Sequence, residues 1–257
     1  MAGRTADGLL GPNDPAPFAL FNAQGRSPFL LLGDHAGSAI PAALGDMGLA
    51  AQDLDRHIAI DIGVHGLGHA LADLLDAPFL HQPYSRLVID CNRDPAHPDA
   101  IPSITDGTWV SGNDGLDNGA RAARIAAIHA PYHRRIQALI ATRRAAGQAT
   151  ILLSLHSFTP VMAGIPRPWD AGIMYSSGTV HVAVAMLTAL RADLTLTIGD
   201  NQPYAMDATD YTVPFHAFPH DLPYAEIEVR QDRIGDADGQ SLWARRLADA
   251  ARRAFPH

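Results

Sequence analysis

The sequence predicts an α/β protein: a mostly parallel sheet with helices on both faces. Three observations predict it. Short apolar runs alternate with helical stretches along the chain, as βαβ units require. Two runs, Leu30-Leu31-Leu32 and Ile151-Leu152-Leu153, are apolar without alternation, as strands covered on both faces are. Each leads into a histidine, His35 and His156, and then into small residues. In open α/β sheets the carboxyl ends of strands line the binding crevice.

Taken in order, residues 1–27 are rich in Pro, Gly and Asn and read as an extended lead-in. Pro28 to Gly33 is the first strand, and Ser38 to Pro41 a turn. Residues 52–75 carry Leu54, Ile58, Ile62, Leu67, Leu71 and Leu75 at helical steps. Pro78 to His81 and Leu87 to Asp90 read as strands, the latter stopped by Pro95. Residues 94–118 are a long irregular loop, and such loops in compact domains commonly carry function. Residues 119–146 are helical with a break near Pro131. Gly172 to Tyr175 reads as a strand, Val180 to Leu190 as a helix, and Leu194 to Ile198 as a strand. Ala225 to Val229 is a further strand, and 239–254 a closing amphipathic helix. No repeat or linker divides the chain, so the expectation is one domain over 1–257.

Composition narrows the function. A chain of 257 residues with 47% hydrophobic side chains can bury a sizeable core. The net charge of −8 argues against a nucleic-acid partner. No apolar run reaches membrane-spanning length, so no membrane is expected. One cysteine, Cys91, excludes an internal disulfide and any cysteine-rich zinc site. With no apolar leader the expected location is cytoplasmic. There is no lysine, so all 19 basic side chains are arginine, the residue that holds carboxylates bidentately.

Two imidazoles brought together by two strands can hold a metal, or each can bond a neighbouring backbone group. Asp61 lies four residues after His57. On a helix the two share a face, which suits either a metal ligand or an exposed pair. His65 and His69 form an HxxxH pair without the glutamate of a zinc-protease helix, which argues against a metal there. Glu226 and Glu228 point to one side of their strand, where a carboxylate must be paired or functional. One is a general-base candidate, or it pairs with Arg230 or Arg233. Arg86, Asn92 and Arg93 flank the run Leu87 to Asp90 and could hold a carboxylate or brace the loop.

The ordered set of segments resembles the N-formylglutamate amidohydrolase family. It comprises Gly33-Asp34-His35-Ala36-Gly37, the stretch His57 to Gly63, and Ser85-Arg86 through Asn92-Arg93. Leu155-His156-Ser157, Gly199-Asp200-Asn201 and Glu226-Ile227-Glu228-Val229-Arg230 follow. The resemblance implies a three-layer α/β/α sandwich with a mixed sheet, like zinc carboxypeptidases and aspartoacylases. It implies zinc as cofactor, His35 and His156 as ligands, and Glu228 as general base. Arg86, Asn92 and Arg93 match the set placed around the substrate carboxylate, with Arg86 also beside the developing oxyanion. Where those relatives carry a ligand glutamate three residues after the first histidine, this chain has Ser38. Asp61 is the replacement expected. The implied reaction is hydrolysis of a small-molecule N-formyl or other N-acyl amino acid. The alternatives are a zinc carboxypeptidase or a non-catalytic binding protein of the same fold. A Ser-His-Asp hydrolase is disfavoured by the lack of Gly-x-Ser-x-Gly.

Overall fold

Buried, β-rich runs form the centre of the molecule, a computed structural model that describes residues 8–255. The seven-stranded sheet has the order β1-β3-β2-β6-β11-β9-β10. Its strands are β1 (Ala19–Phe21), β2 (Phe29–Gly33), β3 (Phe79–His81), β6 (Ile151–Phe158), β9 (Ala171–Met174), β10 (Ile198–Asp200) and β11 (Tyr224–Arg230). The hairpin strands β4 (Ile104–Thr105), β5 (Thr108–Trp109), β7 (Val161–Met162) and β8 (Ile165–Pro166) lie outside it. β3, β2, β6 and β11 run parallel, while β1 against β3 and β9 against β11 are antiparallel. The sheet is therefore mixed and mostly parallel, as expected.

Alternation of side chains divides the core in two. Leu31, Leu153, Leu155, Ala225, Ile227 and Val229 pack against helices α1 (Val64–Leu75), α4 (His181–Arg191) and α6 (Ala237–Ala254). Leu30, Leu32, Leu152 and Tyr224 face the other way. That side is covered by α3 (Ala130–Ala145), α5 (Thr212–His216) and buried loops, preceded in the chain by α2 (Asn118–Arg124). No described helix is long and apolar enough to cross a membrane.

Several expected elements differ. The helix expected over 52–75 begins only at Val64, because Gly63 takes φ +84° and a Cβ there would lie 2.1 Å from the Ile234 carbonyl. The periodic apolar residues on its two sides serve different cores: Ile58 joins the loop side, and Leu67 and Leu71 the helical side. His57 and Asp61 thus share no helical face. The run Leu87 to Asp90 is buried but forms no strand. Ser85 turns the chain, its Oγ and carbonyl accepting from the Leu87 and Val88 N–H groups. The Leu87 and Val88 carbonyls accept from Asn113 and Arg124 side chains, both at 2.9 Å, instead of from a strand. Leu194 is 94% exposed, since Asp193 turns the chain through the Thr195 N–H, and strand β10 starts later, at Ile198. The break near Pro131 is one wide turn, with the Ala130 N–H bonded to the Ile125 carbonyl; it leads straight into α3, whose second residue is Pro131, which has no N–H to donate. The lead-in contributes β1, paired with β3, and Tyr84 and Gln82 donate to the Pro15 and Pro17 carbonyls. Its first seven residues lie outside those described.

Candidate metal centre and active-site cavity

The site arises where two neighbouring strands end at different heights. β2 pairs with β6 only as far as Leu32 opposite Ser154, whereas β6 continues to Phe158. His156 therefore lies within β6 but past the end of β2, and Asp34 and His35 turn into the gap. Register with β11 sets Glu226 opposite Ser154 and Glu228 opposite His156. All four point to the loop side of the sheet, away from Leu155 and Ile227. Asp61 is delivered by the turn before α1, its N–H donating to the His35 carbonyl at 2.9 Å.

Asp61 is the hub. Its Oδ2 lies 2.9 Å from His156 Nδ1 and 3.3 Å from His35 Nδ1, and accepts from the Ser157 N–H at 3.3 Å. The other nitrogen of each ring is held from behind. His35 Nε2 donates to Asp90 Oδ1 at 2.7 Å, and His156 Nε2 lies 3.1 Å from Ser154 Oγ and 3.6 Å from Asp34 Oδ2. Tyr132 in turn donates to Asp34 Oδ1 at 2.7 Å. Imidazoles that ligate metals are commonly oriented by a carboxylate on the far nitrogen.

Arg86 caps the group, its Nη2 2.7 Å from Asp90 Oδ2 and its Nη1 3.4 Å from Asp61 Oδ1. Glu226 and Glu228 are buried, and the Oε2 atom of each has no hydrogen-bond partner. These groups line a cavity of about 750 Å³, whose wall also includes Asn92, Arg93, Tyr204 and Asp210.

The electrostatics follow from this crowding. Burial pushes the Glu228 carboxyl up to about 8 and that of Glu226 up to about 7; His156 opposes both shifts. Burial also works against charge on Asp34, but His156, His35 and Tyr132 outweigh it and hold the group at about 2. Asp61 and Asp90 are likewise low: burial opposes, and the two imidazoles and Arg86 prevail. Burial lowers His35 and His156, yet the facing carboxylates win and raise both.

A divalent ion fits this donor set. His35, Asp61 and His156 offer ligand atoms all within 4.8 Å of one another. Asp61, Asp90 and Glu228 gather around the Arg86 guanidinium, Asp34 and Glu226 are buried with them, and buried carboxylates require compensating positive charge. Two imidazole N–H groups aimed at one Asp61 oxygen are protons sitting where a cation would be shared.

These shifts fix how the ion-free protein responds to pH. Above pH 6.5 the folded state keeps protons on Glu226, Glu228, His35 and His156 that the unfolded chain has lost, so stability falls as pH rises through about 8. Below 6.5 the sign reverses. His81, His133 and His216, held by burial at about 4, 3 and 4, stay neutral while the unfolded chain protonates. His57, His69 and His129 are lowered too, so six imidazoles outweigh the two carboxyls. The melting temperature of chelator-treated protein is expected to peak near pH 6.5. A midpoint still climbing at pH 8 would contradict this electrostatic picture.

The structure brings His35, Asp61, His156, Arg86 and Glu228 together. Asn92 and Arg93 lie farther along the cavity wall. The Asn92 carboxamide oxygen accepts from the Tyr211 and Thr212 N–H groups at the start of α5, leaving its Nδ2 towards Asp210 at 3.5 Å. Arg93 Nη1 donates to the carbonyls of Asn92 at 2.8 Å and Thr209 at 3.2 Å. Sequence reasoning missed Asp90 and Tyr132 and gave Asp34 no role. Asp34 lies past β2, which ends at Gly33, so strand alternation does not set where it points.

Residues 27–235 match the family model for N-formylglutamate amidohydrolase. The chain is similar to the crystal structure of gene product Atu2144 from Agrobacterium tumefaciens, with a TM-score of 0.93 and 33% identity over 96% of this chain and 98% of that one. It is also similar in fold to an N-formylglutamate amidohydrolase from Ralstonia eutropha JMP134, with a TM-score of 0.70 and 22% identity over 93% of this chain and 97% of that one. No curated protein matches the sequence.

Proposed function

The chain belongs to the N-formylglutamate amidohydrolase family, and we propose that it hydrolyses the amide of an N-formyl or related N-acyl amino acid such as N-formylglutamate, in a zinc-dependent reaction that releases formate and the amino acid. The observation that carries this reading is the triangle of His35, Asp61 and His156 beside the unpartnered Glu228. A two-imidazole, one-carboxylate set with an open side is the ligand arrangement of hydrolytic zinc. When bound, zinc supplies Lewis acidity and enough positive charge to keep Glu228 ionised near neutrality.

The chain's own residues do the rest. Glu228 takes a proton from the attacking water and delivers it to the departing amine. Its place opposite His156 sets it closer to the triangle than Glu226, which sits one pleat back opposite Ser154. Arg86, immobilised by Asp90 and Asp61, opposes the negative charge that develops on the carbonyl oxygen. Asp90 and Asp34 keep the two imidazoles turned so that Nδ1 faces Asp61. Asn92 pins the segment that carries Arg93 to the start of α5. The hydrogen bonds of Arg93 to the Asn92 and Thr209 carbonyls run from Nη1, so its Nε–Nη2 edge is the one a substrate carboxylate can meet.

The test is release of the free amino acid from N-formyl-L-glutamate, with formate as the co-product, compared with N-acetyl and N-succinyl amino acids, before and after chelation and zinc return. Turnover that survives full chelation would overturn the zinc-dependent reading. A recognition role for Arg93 makes its own prediction. Arg93→Lys is expected to raise KM for an N-formyl amino acid by roughly 10-fold or more, because lysine cannot form the fork. The corresponding amide substrate, which has no carboxylate, is expected to change little. Equal losses on acid and amide with a lowered Tm would make Arg93 a brace for the segment at Thr209.

A further inference from the structure

We propose that His65, His69 and His81 form a second divalent transition-metal site, on the face of the sheet opposite the first. Helix α1 sets His65 and His69 one turn apart on the same side. His81 ends β3 and shares its face with Phe79, on the helical side of the sheet. Gly68 makes the meeting possible. A Cβ there would lie 2.2 Å from the Phe79 ring, so only glycine lets α1 settle onto β3 at this height.

The ring centroids of His65 lie 4.5 Å from His69 and 4.9 Å from His81, and one nitrogen from each ring falls within 4.8 Å of the others. His81 is only 6% exposed and its Nδ1 has no hydrogen-bond partner; the buried Nε2 of His69 has none either. Two unmet imidazole nitrogens on adjacent rings are costly in a native interior and call for a partner. Burial, with help from His65 and His69, keeps His81 neutral and its lone pair available. Three imidazoles without a carboxylate select zinc, nickel, copper or cobalt over magnesium or calcium. His65 is exposed, which gives the ion an entry path and a water-filled fourth position. An ion there would fasten α1, the helix that begins three residues after Asp61, to the sheet.

The experiment is a zinc titration of metal-free full-length protein, followed by elemental analysis after desalting. Wild type is expected to retain about two ions per chain, and His65→Ala and His69→Gln about one each. His65 lies on the surface, so the metal-free Tm of His65→Ala should equal that of metal-free wild type. Its kcat/KM should stay within about twofold of wild type, since the variant leaves the ligands of the other centre intact. The decisive readout is the ion lost with His65: loss of one equivalent supports the site, and loss of none overturns it. His35→Ala empties the first centre alone, so failure of that centre is read separately.

Discussion

Glu228→Gln is expected to keep its metal and to lose roughly two to four orders of magnitude in turnover. The amide matches the carboxylate in shape, so the cavity stays filled and β11 stays paired with β6. What disappears is the carboxylate opposite His156, the group proposed to take a proton from water. In the ion-free protein this carboxyl is held up at about 8 by burial, so removing its charge should also raise the ion-free Tm above neutral pH. Glu226→Gln, one pleat farther from Asp61, is the control and should retain much more activity. Single-turnover formate release together with metal analysis checks both variants. A near-normal rate in Glu228→Gln would move the base to Glu226.

Asp61→Asn is expected to abolish tight metal binding and, with it, turnover. One Asp61 oxygen is shared by both imidazole Nδ1 atoms and a backbone N–H, and the other faces Arg86. Removing its charge takes away one ligand and leaves Arg86 leaning on Asp90 alone. Asp90→Asn disturbs the support behind His35 and the anchor of Arg86 but leaves the His35, Asp61 and His156 donors in place, so its loss of zinc affinity should be about 10- to 100-fold, and that of Asp61→Asn larger. Competition against a chromogenic chelator measures both. If Asp61→Asn bound zinc as tightly as wild type, the third ligand would have to be sought elsewhere.

The strands that build the site were legible because burial on both faces leaves a plain mark: apolar runs that do not alternate. β2 and β6 carry it, and His35 and His156 follow from it, whereas β11 alternates and sets Glu226 and Glu228 on one face. Asp61 was legible as a candidate, yet for a reason that fails here, since His57 and Asp61 lie on no common helix. What joins Asp61 to His35 is a backbone hydrogen bond across a turn. The run Leu87 to Asp90 was misjudged because an apolar segment records only that it is buried. Its carbonyls bond to Asn113 and Arg124, partners with no periodic relation to the run. Asp90 and Tyr132 escaped for a similar reason. Asp90 reaches His35 over 55 positions, and Tyr132 reaches Asp34 over 98, through contacts that only the closed fold creates.

The one-sided placement of the first centre has a consequence for how this protein tolerates change. The sheet acts as a partition. On one side α1, α4 and α6 make a continuous apolar layer against Leu153, Leu155 and Val229. On the other, the cavity wall comes largely from the segments from His57 to Asp61, from Arg86 to Asp106 and from Pro203 to Asp210. Substitutions in those segments can reshape what the cavity accepts while the layer that holds the strands together stays untouched. Variation for new substrates can thus be drawn from loop segments on one side of a seven-stranded wall, leaving the α1–α4–α6 layer on the other side unchanged.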